Sequence, residues 1–575
     1  MNQTEFPNEA NQWWKKAVFY QIYPRSFMDS NGDGIGDLPG IISKLDYLND
    51  GTPNSLGIDA IWFSPFYPSP DHDYGYDVAD YHDIDPRYGT LDDFDRLVKE
   101  AHKRKIMIML DLVVNHTSYL HSWFKESRSS LDNPKRDWYI WKDGRGSKKK
   151  PPNNWRNNFF GPAWTWDEKT EQYYLHSFLK EQPDLNWRNP AVREAVGDVI
   201  HFWLKRSADG FRLDVPHIYC KDEQFRNNPP FFARKRFKDR PLFRDRTLTA
   251  NILKLFSLPE GQDLKYNQHQ PETHGVLKGF RRIFNTYPAK TSVGEVIGDD
   301  PEVLASYYGS NNDELHMIFY FEMIYCRWKA GAFRRSIERW ERILPEGAWP
   351  AYALSNHDVM RAASRYESSG RGDRKARLLT LLLLTLRGTP FIYYGEEIAM
   401  KEAKLPKNYL KDPIGLKWEP LNRGRDGCRT PMQWNNSSNA GFSSVEPWLP
   451  VGPDLEQHNV SAQEKDPHSQ LSFIKKLVWL RKDLPALLQG SYYSITEGVP
   501  ENCFCFLRKA DQQSLAVCLN FSPHKQEINL ATFNDSSKIL ISTNSERKPG
   551  SINFPLVLNP DEGCLIEFKA ADQID

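Results

Sequence analysis

Four short segments of the chain run from apolar, strand-like residues onto an acid. They are Ile108-Met109-Leu110-Asp111, Gly210-Phe211-Arg212-Leu213-Asp214, Ser292-Val293-Gly294-Glu295 and Leu354-Ser355-Asn356-His357-Asp358. Polar partners stand close by: Asn115 and His116 after the first, Asn356 and His357 inside the last. A buried strand seldom ends on an acid unless that acid faces water, a counter-charge or a ligand. Carboxylates alone are suited to glycosidic cleavage. One acid stays protonated and donates to the leaving oxygen, while another stays ionised and attacks or stabilises the oxocarbenium-like carbon. A third nearby would hold substrate hydroxyls and raise the proton affinity of the acid by like-charge repulsion. Other chemistries lack their signatures: no Cys or His residues take zinc-ligand spacing, no Gly-rich phosphate loop precedes a helix, and no Gly-x-Ser-x-Gly turn occurs.

These acids have to be delivered to one place. The pattern alternates strand and helix from Ala17: strands are expected at Ala17 to Tyr23, Asp59 to Ser64, Lys105 to Val114, Gly210 to Val215, Thr291 to Val296, Leu315 to Tyr320, Ala351 to Ser355 and Pro390 to Tyr394. Eight strands with intervening helices, such as Leu91 to Arg104, Pro190 to Lys205 and Gln470 to Lys482, predict a closed (β/α)8 barrel. Its strand C-termini converge on one mouth. The predicted barrel covers 1–116 and 190–490. A Pro-, Asn- and Trp-rich excursion, 117–189, interrupts it, and an irregular lid spans 398–451. The connection from Pro216 to Glu272 is far longer than an ordinary loop. From 491 to 575, short β-rich runs separated by Asn, Asp, Pro and Ser predict a small antiparallel β-sandwich domain.

Asp111-Leu-Val-Val-Asn-His116, Gly210-Phe-Arg-Leu-Asp214, Gly294-Glu295-Val296 and Asn356-His357-Asp358 resemble the signature regions of the alpha-amylase family of glycoside hydrolases. Gln182-Pro183-Asp184-Leu185-Asn186, Gly75-Tyr76-Asp77-Val78-Ala79-Asp80-Tyr81 and Arg429-Thr430-Pro431-Met432-Gln433-Trp434 resemble its alpha-glucosidase and oligo-1,6-glucosidase branch. The resemblance implies Asp214 as nucleophile, Glu295 as general acid and then base, and Asp358 as the acid that binds sugar hydroxyls and strains the ring. It implies that Arg212 keeps Asp214 ionised, that His116 and His357 donate to sugar hydroxyls, and that Tyr76 stacks on the first sugar. It also implies an Asp73–Arg429 ion pair that closes the pocket, and an inserted B domain over 117–189. An exo-acting, retaining alpha-glucosidase acting on short oligosaccharides is the leading expectation. A glucosyl-transferring relative such as a sucrose or trehalose isomerase is the enzymatic alternative. A catalytically dead relative of transporter heavy chains is the non-enzymatic one, disfavoured because every acid is kept. Pro216-His217-Ile218-Tyr219-Cys220 departs from a standard maltase or isomaltase, and Val215 leaves the linkage preference open.

Asp29-Ser-Asn31-Gly-Asp33-Gly-Ile35-Gly-Asp37 places an oxygen ligand at every second position, as a hard-cation loop requires. It is not an EF-hand, because Gly40 stands where the bidentate Glu would be. The resemblance implies one structural Ca2+ held by Asp29, Asn31, Asp33, Asp37 and the Ile35 carbonyl.

Lys plus Arg equal Asp plus Glu at 75 each, so no overall field favours nucleic acid or an anionic membrane. No apolar run nears the ~20 residues of a membrane span. Leu378 to Leu386 is flanked by Arg and Lys and reads as a buried barrel helix. The polar, acidic Met1 to Ala10 lacks a signal-peptide core, and seven irregularly spaced Cys argue against a disulfide framework. Cytoplasm is the expected compartment.

Overall fold

The computed structural model describes residues 12–159, 161–230, 262–418, 423–530 and 537–569. Eight parallel strands close a barrel in the order β1-β11-β10-β9-β8-β7-β3-β2. The staves are β1 (Phe19–Ile22), β2 (Ala60–Phe63), β3 (Met107–Leu112), β7 (Gly210–Leu213), β8 (Thr291–Gly294), β9 (Met317–Phe319), β10 (Trp349–Ala353) and β11 (Thr389–Tyr393). All eight expected strands are therefore present. Three further strands, β4 (Trp141–Lys142), β5 (Trp164–Asp167) and β6 (Gln172–Leu175), form a small antiparallel sheet between β3 and β7.

Alternation along each stave separates two cores. Phe19, Trp62, Met109, Val293, Met317, Phe319 and Phe391 fill the barrel, while residues of opposite parity, such as Ile61, Ile108, Leu110 and Phe211, pack outward against the helices. The same alternation decides where polar groups go. Asp111 shares the inner face of β3 with Met109, and Arg212 that of β7 with Asp214.

The helices start where local chemistry predicts. Thr90 and Asp93 form a reciprocal capping box at Leu91–Lys103, whose Phe94, Leu97, Val98 and Ala101 face inward. Asn189 caps Pro190–Lys205, with Pro at its first position. The Leu-rich run lies in Gly372–Thr385, buried nearly all round because β14 (Gln513–Asn520) and β19 (Gly563–Lys569) cover the side turned away from the barrel. Those two strands belong to a six-stranded antiparallel sheet, completed by β12 (Ser491–Ile495), β13 (Cys503–Ala510), β16 (Ser537–Ser542) and β17 (Gly550–Ile552). A two-stranded sheet, β15 (Gln526–Ile528) with β18 (Leu556–Leu558), accompanies it.

The connection expected over 216–272 is described only at its stems, because 231–261 lie outside the described residues. The stems pack on the inserted segment: Asn154 bonds Asn227 and Asn228, and Gln262 donates to the Asn154 carbonyl at 2.7 Å. Among the described residues, no helix is long and apolar enough to cross a membrane.

Candidate active site

Asp214 and Glu295 each stand one residue beyond the last residue of β7 and β8, and Asp111 lies on β3. One guanidinium gathers all three. Arg212 Nη1 donates to Asp111 Oδ1 and Asp214 Oδ1, both at 2.7 Å, and Nη2 donates to Glu295 Oε2. Arg212 is 2% exposed, so its charge acts without solvent screening. Asp214 and Glu295 thus bond the two terminal nitrogens of one planar fork, which gathers both carboxyls at one point of the mouth.

The acids are driven apart in proton affinity. Burial, followed by the charges of Asp214, Asp358 and Asp111, pushes the Glu295 carboxyl well above its ordinary range, against the pull of Arg212. Asp111 is pushed up to about 7, first by burial and then by Asp214, with Arg212 opposing. Burial also acts on Asp358, but His357, Arg425 and Arg429 outweigh it and hold that carboxyl well below the usual range. His357 is itself pushed down by burial, so the two guanidiniums are the permanent positive charges there. A carboxyl that keeps its proton, Glu295, therefore stands in one cluster with Asp358, which is held as an anion.

The sequence expectation of an Asp73–Arg429 pair is corrected. Arg429 donates from Nη2 to Asp358 Oδ1 at 2.9 Å and from Nε to the His357 carbonyl at 2.8 Å. Those contacts turn Arg429 towards Asp358, and Arg425, four residues earlier, takes Asp73. Its Nη2 meets Asp73 Oδ1 and Asp412 Oδ1 at 2.8 Å each, and its Nη1 meets Asp358 Oδ1 at 3.1 Å. One fork thus holds three acids from three loops.

The remaining expected residues come together, with different partners from those foreseen. Tyr76 stacks on His357 at 5.2 Å and donates to Asp111 Oδ2 at 3.1 Å. His357 accepts from Gln21 at Nδ1, 2.7 Å, leaving Nε2 against Tyr76 and Asp358. His116 lies 2.9 Å from the Tyr76 carbonyl through Nε2 and accepts from Asn115 at Nδ1. Both nitrogens of each ring are engaged by protein, so meeting a sugar hydroxyl requires one contact to be exchanged.

Residues missed in the sequence include Arg425, Asp412, Gln21 and Lys221. Lys221 is fully buried and bonds Asp184 and Asn115 at 2.8 Å, tying the connection after β7 to the segment before it. Its signal in the sequence is a lone Lys among Tyr219, Cys220 and Asp222 in the connection after β7. Val215, next to Asp214, adopts a left-handed backbone, φ 37° and ψ 48°. A β-branched side chain there is strained by ~1–3 kcal/mol.

The Asp29–Asp37 loop has a donor set suited to a hard cation. In the conformation described, Asp29 accepts from the amides of Asn31, Gly32 and Gly34 and from Ser443, while Asp37 accepts from Ser30 and Gly40. No trio of His, Cys, Asp or Glu among the described residues is arranged to hold a metal.

Residues 21–490 match the family model for the alpha-amylase catalytic domain. The chain belongs to the alpha-amylase family. Within the family it is 44% identical to a probable alpha-glucosidase of Rhizobium meliloti, over 89% of each chain. It is 39% identical to an oligo-1,6-glucosidase of Parageobacillus thermoglucosidasius, over 89% of this chain and 90% of that one. The crystal structure of an alpha-glucosyl transfer enzyme, XgtA, superposes with a TM-score of 0.86 at 39% identity, covering 98% and 100% of the two chains.

Proposed function

We propose that the protein is a retaining, exo-acting alpha-glucosidase that releases glucose from the non-reducing end of short α-glucosides. The observation that carries this is the single Arg212 fork holding Asp214 and Glu295 together, with Glu295 kept protonated. Asp214 attacks the anomeric carbon and Glu295 Oε protonates the leaving oxygen. Glu295 then takes a proton from the water that cleaves the glucosyl-enzyme, and Asp358 binds the ring hydroxyls. The likeness to XgtA keeps a second reading in view, in which an alcohol replaces that water. Incubation with maltose, isomaltose and soluble starch tests the proposal. Single glucose units in the α configuration should come from the disaccharides, with starch barely thinned. Rapid viscosity loss with maltooligosaccharides appearing before glucose would overturn the exo reading, and products longer than the substrate would mark transfer.

The donor set of Asp29, Asn31, Asp33, Asp37 and the Ile35 carbonyl supports a calcium site, with the ion replacing amide contacts on the carboxylates. An ion bound only to the folded state adds ~2.7 kcal/mol at a hundredfold excess over Kd. Chelation should then lower the melting temperature and spare room-temperature turnover, since this loop supplies none of the catalytic acids. Equal melting in chelator and in calcium would rule the site out. Seven free thiols support a reducing compartment, the cytoplasm.

A further inference from the structure

We propose that Cys505 and Cys518 form a dithiol in the C-terminal domain that hydrogen peroxide converts into one cross-strand disulfide, while the rest of the seven thiols stay reduced. The two residues face each other across β13 and β14. Their pairing class follows from the next strand. The Asn520 amide donates to the Glu562 carbonyl at 2.8 Å, so the backbone of Asn520, and that of Cys518 two residues earlier, is turned toward β19. Cys505 and Cys518 are therefore a non-hydrogen-bonded pair, the class with Cα atoms ~4.5 Å apart and the closest side chains. A disulfide takes Cα separations of ~4.4–6.8 Å. The thiols already meet, since Cys518 is hydrogen-bonded to Cys505.

The other thiols are engaged elsewhere. Cys564 also opposes Cys518, but in the hydrogen-bonded class, with ~5.5 Å between Cα atoms. Its Sγ lies 3.9 Å from Glu562 Oε1. Cys503 opposes Asn520. Cys326 and Cys428 donate to backbone carbonyls, and Cys220 bonds Thr273. Cys505 and Cys518 are fully buried in a core whose far side is closed by β15 and β18, a two-stranded sheet of three-residue strands. So thin a cover opens locally at less cost than global unfolding, admitting a small oxidant and excluding bulky ones. The Cys505 thiolate then attacks a peroxide oxygen. The O–O bond breaks, leaving a sulfenic acid and, with a proton, one water. The Cys518 sulfur attacks the sulfenic sulfur, the S–O bond breaks and a second water leaves. Two thiols thus lose two electrons and two protons to one peroxide.

The test treats the full chain with hydrogen peroxide a few degrees below its melting transition, then unfolds it, alkylates free thiols and maps the cysteine peptides by mass spectrometry. Two of the seven thiols should resist alkylation, the mass should fall by two hydrogens, and one peptide pair should join Cys505 to Cys518. Dithiothreitol should restore all seven. Cys505→Ala and Cys518→Ala, each checked for native melting, should keep every remaining thiol under the same treatment. Full alkylation of the treated native protein would overturn the proposal, as would a disulfide to Cys564 or Cys503, or sulfinic acid at either residue. Loss of two thiols in either variant would do the same. Where an alanine variant melts early, the peptide map of the native protein decides the pairing by itself.

Discussion

Asp214→Asn and Glu295→Gln each yield a folded protein that has lost most of its turnover on maltose or isomaltose. Loss of a general acid alone costs ~10²–10⁴-fold, and loss of the nucleophile at least as much. The two variants separate by leaving group. Glu295→Gln recovers in proportion as the leaving alcohol becomes acidic enough to depart unprotonated, whereas Asp214→Asn recovers with none. They also separate by pH. Glu295 is raised by burial and by neighbouring anions, so the native kcat/KM falls on the alkaline side as that proton is lost. The alkaline limb disappears in Glu295→Gln. Retention of more than a tenth of native turnover by either variant on both disaccharides would remove the assignment.

Arg425→Ala should damage the pocket and the fold together. It strips the counter-charge from Asp73 and Asp412, which are 4% and 0% exposed. Breaking a buried pair by removing one partner costs ~3–5 kcal/mol, because the other charge stays behind unpaired. Charged hydrogen bonds of ~1.5–3 kcal/mol to the non-reducing sugar would be lost as well, raising KM roughly ten- to a hundredfold. Arg425→Lys restores charge but not the three-acid fork, so stability should return further than KM. An Arg425→Ala enzyme with native melting and native KM would show that this closure does not hold the substrate.

The barrel was legible because its signal is local. Each stave is a short apolar run, and parity along Met109-Leu110-Asp111 or Phe211-Arg212-Leu213 already sorts inner from outer residues. The clustering of Asp111, Asp214, Glu295 and Asp358 followed from barrel closure. The partner of Asp73 was not legible. Arg425 and Arg429 are four residues apart on the same irregular segment, and which of them reaches across depends on contacts to the His357 carbonyl and Asp412 that no spacing encodes. Lys221 escaped for a similar reason: its value lies in Asp184 and Asn115, brought to it from another part of the chain.

Val215 carries a consequence for how this protein can evolve. Glycine would relax its left-handed backbone and remove the strain beside Asp214, making it an easy stabilising change by conformation alone. Glycine would also loosen the backbone next to Asp214. Selection for heat tolerance and selection for turnover therefore pull this codon in opposite directions. Lineages of this chain that gain robustness should do so at helix caps, loops and the C-terminal sheet, while the residue after Asp214 stays costly and branched.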